Sequence, residues 1–330
     1  MFGHTQMDRR QFLGGVCGTA VLLPLTLHAQ KLGRNPRIGY LSPARLPQLL
    51  QALHDGLHEL GYVEGQNIAF DYRFAEGQAK TLDELAAQLV QLGPDVIVTV
   101  ASGAAFAAKR ATTTIPIVMA TVGEPVGIGL VASLARPGGN ITGVTLYGSD
   151  LARKRLELLK ETIPAVRRVA LLGNTTNPFT AFNWNEVQPA GPALGLELQL
   201  FTITGLGEFP ATFAAIKQSG ANALLVLSDA LFNAARREII KLASQSSLPT
   251  MFEAREFVED GGLMAYGPNI AEMTRRSASL IVKIIKGANP GDLPIEQPTT
   301  FELSINVQTG RALGITIPAT VLLRADKVIE

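Results

Sequence analysis

The chain has 330 residues, 47% hydrophobic and 17% charged, with a net charge of +1. That length accommodates two packed domains. The near-neutral balance lacks the basic excess that phosphate contacts require, so nucleic acid is not an expected partner. Aromatic residues make up 6% of the chain, too few for a stacking platform along a sugar chain or a single strand.

The first thirty residues read as an address. Arg9-Arg10-Gln11-Phe12-Leu13 leads into an apolar run from Val16 to Leu27, broken by Pro24, and Leu27-His28-Ala29 ends on a small residue for cleavage. A charged start, a modest apolar segment and a small residue near Ala29 are the parts of a signal peptide over residues 1–30. The paired arginines point to the twin-arginine route, and the expected location is the periplasm. The run is shorter than the roughly 20 residues a membrane span needs. Cys17, the only cysteine, lies inside this segment, so the cleaved chain is expected to have no disulfide and no thiolate ligand. Gly14-Gly15-Val16 ahead of Cys17 makes a poor lipoprotein cleavage box, and no lipid anchor is expected.

From Arg37 onward short apolar runs alternate with longer amphipathic ones. Residues 37–42 (RIGYLS) suit a strand, and 46–60 carry leucines at helical spacing with Gly61 as the stop. Residues 67–74 alternate as a strand, 82–92 are helical, 95–100 (DVIVTV) form a buried strand, 104–110 a helix and 115–120 (IPIVMA) another strand. This rhythm calls for a parallel sheet covered on both faces.

The pattern is then repeated. GPDVIVTVASGAAFAAKRATTTIPIVMA and, from Gly220, GANALLVLSDALFNAARREIIKLASQSSLPTMF share one order: Gly, buried strand, Ser, alanine-rich helix ending in Lys or Arg, Ser/Thr cluster, strand with Pro. RIGYLSPA opens one half and RVALLGNT, from Arg168, the other. The fold class expected is α/β, with two Rossmann-like lobes built on parallel sheets. The tail, with GLMAYG from Gly262, a helix over 269–286 and an extended ELSIN at 302–306, fits a chain that crosses back to lobe 1 and returns. Lobe 1 is assigned to 37–146 plus 267–293, and lobe 2 to 147–266 plus 300–330. Three hinge strands join them, near Tyr147, Tyr266 and Glu302, with Gly148 and Gly267 beside the first two.

In open parallel sheets, ligands sit beyond the carboxyl ends of the strands, where helix N-termini point free N–H groups into the crevice. That rule nominates Ser42, Ser102, Gly103 and Glu124 in lobe 1. In lobe 2 it nominates Asn174, Asn177, Ser228, Asp229 and Glu253, with Tyr266 at a crossing. Ser102, Ser228 and Asp229 also suit helix N-caps. A ligand carboxylate matches the serine-bearing helix starts, and an amine matches Asp229 or Glu253.

Enzyme signatures are weak. His54 and His58, one helical turn apart, lack a third metal ligand at a known spacing and read as a solvated helix face. No G-x-S-x-G elbow is present. Gly127-Ile128-Gly129 is an incomplete phosphate loop, and Gly138-Gly139 after Pro137 reads as a turn. The strand-end carboxylates have no histidine or lysine beside them for acid–base work, so they suit holding a ligand's ammonium or hydroxyls. No metal or cofactor is expected.

Several segments together resemble a bacterial family of ABC-transporter substrate-binding proteins that includes tryptophan-binding-type members. They are ELGYVEGQNI, IPIVMATVGEPVGIGLVASLARPGGNITG, KRLELLKE, ALLVLSDALF, REFVEDGGLMAYGPN, IEQPTTFEL and IPATVLLRADKVIE, spread from Arg37 to Glu330. The resemblance implies a type I periplasmic-binding-protein fold, a ligand held between the lobes, and delivery to the membrane permease of an ABC importer. The family usually carries Asp in the VGDPVG turn, where this chain has Glu124. The expectation is a monomeric solute-binding protein that captures a small molecule (an amino acid, an aromatic acid or similar) by hinge closure. The alternative is a small-molecule-processing enzyme on the same two-lobed scaffold.

Overall fold

The computed structural model describes residues 1–3, 34–146 and 149–330. The signal-peptide segment with Cys17, and Tyr147-Gly148 at the expected first crossing, lie outside the described residues.

In the first half the elements run β1 (Arg37–Ser42), α1 (Pro47–Glu59), β2 (Ala69–Phe74), α2 (Leu82–Leu92), β3 (Val96–Val100), α3 (Ala101–Ala111), β4 (Ile117–Val122) and β5 (Ile141–Thr145). Then follow α4 (Ser149–Thr162), β6 (Arg168–Asn174), α5 (Pro178–Val187), α6 (Ala190–Ala193), β7 (Glu197–Ile203), α7 (Phe209–Gln218), β8 (Ala223–Val226), α8 (Ala230–Ala234) and α9 (Arg236–Gln245). The last part comprises β9 (Thr250–Phe252), α10 (Arg255–Glu259), β10 (Met264–Gly267), α11 (Ile270–Ile285), β11 (Glu302–Asn306), α12 (Val307–Ala312), α13 (Ala319–Leu322) and β12 (Lys327–Ile329).

They build two sheets, ordered β2-β1-β3-β4-β5 and β12-β11-β10-β9-β8-β6-β7. Every residue of β3 and β4 is buried, as a sheet covered on both faces demands. All pairs are parallel except β10 with β11, where Tyr266 lies opposite Leu303. The exception follows from the path of the chain. β10 leaves the second sheet toward the first, and β11 returns from it, so the two strands run in opposite directions.

Helix α1 starts on Pro47, whose missing N–H costs nothing at a first helical position. Its buried stripe of Leu49, Ala52, Leu53, Gly56 and Leu57 faces inward, and each buried leucine contributes about 1.5–3 kcal/mol. Gly56 lets α11 approach closely, since a Cβ there would stand 2.3 Å from the Arg275 carbonyl oxygen. Thus α11, which follows a strand of the second sheet, packs on the first lobe. The chain then stays with that lobe through Glu296, whose N–H donates to Gly143 O (3.0 Å) and whose carbonyl accepts from Thr145 N (2.9 Å). Residues 297–301 carry it back to β11. Gly267 remains in the second sheet as the last residue of β10. Three segments therefore join the lobes, after Leu146, after Gly267 and after Glu296.

Two aspects of the sequence reading change. His54 is not on a fully solvated face: its ring stacks on Phe70 (centroids 4.9 Å apart), and its Nε2 lies 3.0 Å from the Tyr72 hydroxyl. The stretch at 127–129, read as an incomplete phosphate loop, has a packing use for its first glycine. Gly127 packs under the Phe182 ring, where a Cβ would stand 2.5 Å from it.

Candidate functional site

On the lobe 1 side, β3 passes directly into α3. The junction residue Ala101 has φ +65°, a left-handed conformation that costs a non-glycine residue roughly 1–2 kcal/mol. Its N–H donates to Thr121 Oγ at 3.3 Å. The N-cap position of α3 is Val100, which has no capping side chain, so apart from that of Ala101 the first-turn N–H groups and the positive end of the dipole are open to a bound anion. Ser102 sits inside the first turn, 2% exposed, rather than at the N-cap. The helix begins at the left-handed Ala101, two residues before the start that an N-cap at Ser102 would give.

On the lobe 2 side, β6 and β8 end in a knot of polar side chains. Asp229 caps α8, its Oδ1 accepting from Leu231 N at 2.8 Å. Its Oδ2 accepts from Asn177 Nδ2 at 2.8 Å and Asn174 Nδ2 at 3.1 Å. Asn177 in turn caps α5 through Phe179 N, and Asn174 Oδ1 accepts from the Thr176 N–H and hydroxyl. Burial pushes the Asp229 carboxyl up, and the bonds from Asn177, Leu231 N and Asn174 pull it back. Ser228 is not the cap of α8, which falls one residue later. Its hydroxyl instead donates to Glu253 Oε2.

Glu253 follows β9 and is 7% exposed. Burial pushes its carboxyl up to about 7; Arg155 opposes this, while Asp229 and Glu256 add to it. The site thus holds two buried acids side by side, one of them poised to change charge near neutrality.

These groups line one chamber between the lobes, with a cavity volume of about 30 Å³. Ser102, Thr121, Asn177, Ser228, Asp229 and Glu253 give it polar walls, and Leu46, Leu49, Leu146, Phe179 and Ile270 give it an apolar one. Gly103 and Asn174 line a smaller adjoining chamber, which also touches Asn177 and Asp229. Seven of the ten nominated residues therefore meet at the facing sheet ends. Ser42, Glu124 and Tyr266 line neither chamber. The Ser42 hydroxyl donates to Ala44 O within its own loop, Glu124 sits half-buried in the turn after β4, and the Tyr266 ring packs beside Phe301 with centroids 6.1 Å apart.

The apolar wall, Thr121 and Arg155 were not among the nominated residues. Leu46 and Ile270 do sit at helix starts, beside Pro47 and the N-cap Asn269, and helix starts at the sheet edge were the available signal. Among the described residues no group of three or more His, Cys, Asp or Glu side chains is placed to hold a metal.

Comparison with known proteins adds a family. The model described as ABC transporter substrate binding protein matches residues 41–329. A tyrosine-binding protein of Clostridioides difficile (strain R20291) is 27% identical over 259 residues, covering 78% of this chain and 74% of its own length. Two crystal structures are each 30% identical and cover 89% of this chain and 100% of theirs. One is a conserved domain protein from Vibrio cholerae O1 biovar El Tor, at TM-score 0.84. The other is an ABC domain in complex with L-Trp from Streptococcus pneumoniae, at TM-score 0.83.

Proposed function

This chain belongs to the family of ABC transporter substrate binding proteins, and from that membership we propose that it captures a free aromatic α-amino acid between its lobes and presents it to the permease of an importer. The fold is the type I periplasmic-binding-protein fold, and substrate binding proteins of ABC transporters work outside the cytoplasm.

One observation carries the choice of ligand. The buried carboxylates Asp229 and Glu253 of one lobe share a chamber with the uncapped N-terminus of α3 from the other, beside an apolar wall. A zwitterion answers both ends. Its carboxylate meets the first-turn N–H groups of α3, helped by Ser102 and Thr121, and its ammonium meets Asp229, Glu253 and Ser228. The side chain lies against Leu46, Leu49, Leu146, Phe179 and Ile270. The tyrosine-binding relative and the L-Trp complex support an aromatic side chain. Both sets of polar contacts exist only when the lobes are together, so ligand shifts the population to the closed form.

The remaining parts of the reading rest on the sequence. Arg9-Arg10 and the apolar run after them support twin-arginine export and cleavage near Ala29 into the periplasm. The protein acts as a monomer, without turnover of its ligand and without nucleic acid as a partner. A thermal-shift screen of the amino acids, aromatic acids, purines and short-chain carboxylates tests the ligand class. L-tryptophan or L-tyrosine should raise the midpoint most, and a response confined to purines or short-chain carboxylates contradicts the assignment.

A further inference from the structure

A second cavity opens off the polar chamber between the lobes. The two share Leu46 and Leu49 at the start of α1, Ile270 at the start of α11 and Asn233 on α8. The polar chamber, at about 30 Å³, has room for about two water molecules. The second cavity measures about 240 Å³. An amino acid held by its ammonium and carboxylate in the first therefore passes its side chain over Leu46, Leu49 and Ile270 into the second. Beyond that shared wall the second cavity meets three charged groups, Arg45, Arg236 and Glu256.

Both cations there are already engaged. Arg236 Nε lies 2.6 Å from Asp260 Oδ2. Arg45 Nε lies 2.7 Å from Glu76 Oε1, with its guanidinium 4.4 Å over the Phe74 ring. The Glu256 carboxylate differs: among the described residues the one cation within 4.0 Å is Arg255, whose Nε stands at that distance, beyond hydrogen-bond reach. The same guanidinium also faces Glu259 and Glu302. Yet the Glu256 side chain is only 18% exposed, so it has lost much of its water without gaining a donor. Resting on the reading that the polar chamber holds an amino acid's head group, we propose that Glu256 is a specificity-determining residue. It accepts a hydrogen bond from a donor on the ligand's ring, a phenol O–H or an indole N–H. The apolar wall takes any ring of suitable size, whereas a half-buried acceptor disfavours a ring that leaves it unpaired.

The test is calorimetric titration at neutral pH with two ligand pairs that differ in the ring donor. L-tyrosine is set against L-phenylalanine, and L-tryptophan against 3-benzothienyl-L-alanine, in which sulfur replaces the indole N–H. Whichever of L-tyrosine and L-tryptophan binds tighter is compared with its own counterpart. The unaltered protein should prefer the donor-bearing ligand about tenfold or more. In Glu256→Leu that preference should fall to about twofold or less, with the donorless ligand bound as well as before. Should Glu256→Leu fail to fold, Glu256→Gln, which keeps an acceptor without the charge, should shrink the preference about threefold. Equal affinity within the pair in the unaltered protein, or a preference that survives the substitution, overturns the role of Glu256 and leaves the head-group reading intact. An equal loss for both ligands in Glu256→Leu also overturns it, since Glu256 would then meet the ammonium rather than the ring. Binding of none of the four ligands overturns both readings.

Discussion

The backbone of Gly123, in the turn after β4, lies against the ring of Phe179 on α5 of the other lobe, and a Cβ there would stand 2.6 Å from that ring. Real Cβ atoms do not approach so closely, and both residues line the chamber. The lobes therefore meet at a place that only glycine permits. Gly123→Ala should disfavour the closed form by about 1–3 kcal/mol, the usual cost of overpacking. Affinity for L-tryptophan should fall about tenfold with little change in ligand-free unfolding. Unchanged affinity in calorimetry would mean that closure does not bring these two residues together.

Asp229 has two jobs that one pair of variants separates. Asp229→Asn keeps an acceptor for Leu231 N but removes the charge and turns an NH2 toward the Asn174 and Asn177 amides that donate to Oδ2, so the amino acid should be bound weakly at a small loss of stability. Asp229→Ala loses the cap of α8 as well, and should cost about 1–3 kcal/mol of stability. Wild-type affinity in Asp229→Asn would reduce the residue to a cap.

Glu253 predicts a pH slope. Its carboxyl, near 7 when folded against an ordinary value of 4.5, holds its proton more tightly in the folded state. Its contribution is therefore fully present below about pH 4.5 and is lost as pH rises through 7. The difference amounts to about 3 kcal/mol across that window, a buried group needing no discount for solvent. Urea unfolding of the ligand-free protein should show this decline, and Glu253→Gln should flatten it. Parallel slopes for the two proteins would remove Glu253 as the source.

Export is tested by replacing Arg9 and Arg10 with lysine. Uncleaved precursor should accumulate in the cytoplasm. Normal secretion of that variant would rule out the twin-arginine route and leave export itself standing.

What could be read from the chain beforehand was mostly local. The bounds of β1, α2 and β11 coincide with the sequence reading, because each is set by its own alternation or helical period. Gly93 at φ +62° marks the end of α2. Asp229 and Asn177 were accessible as strand-end residues that cap the next helix. The apolar wall was not, since Leu49, Leu146 and Ile270 come from separate elements whose meeting depends on sheet order and lobe packing. Ser102 as a cap went astray for a different reason: the positive φ of Ala101 has no signature in an alanine. Tyr266 has intermediate burial and sits in β10 with its ring beside Phe301, and adjacency to a crossing does not reveal which way a side chain turns.

The central claim is reversible capture of an aromatic amino acid, and isothermal titration of the purified protein with L-tryptophan and L-tyrosine tests it most directly. One equivalent should bind and be recovered unmodified, and ligand at 100 times its dissociation constant should add about 2.7 kcal/mol of stability. No binding of either amino acid, or its conversion to a product, would contradict the account.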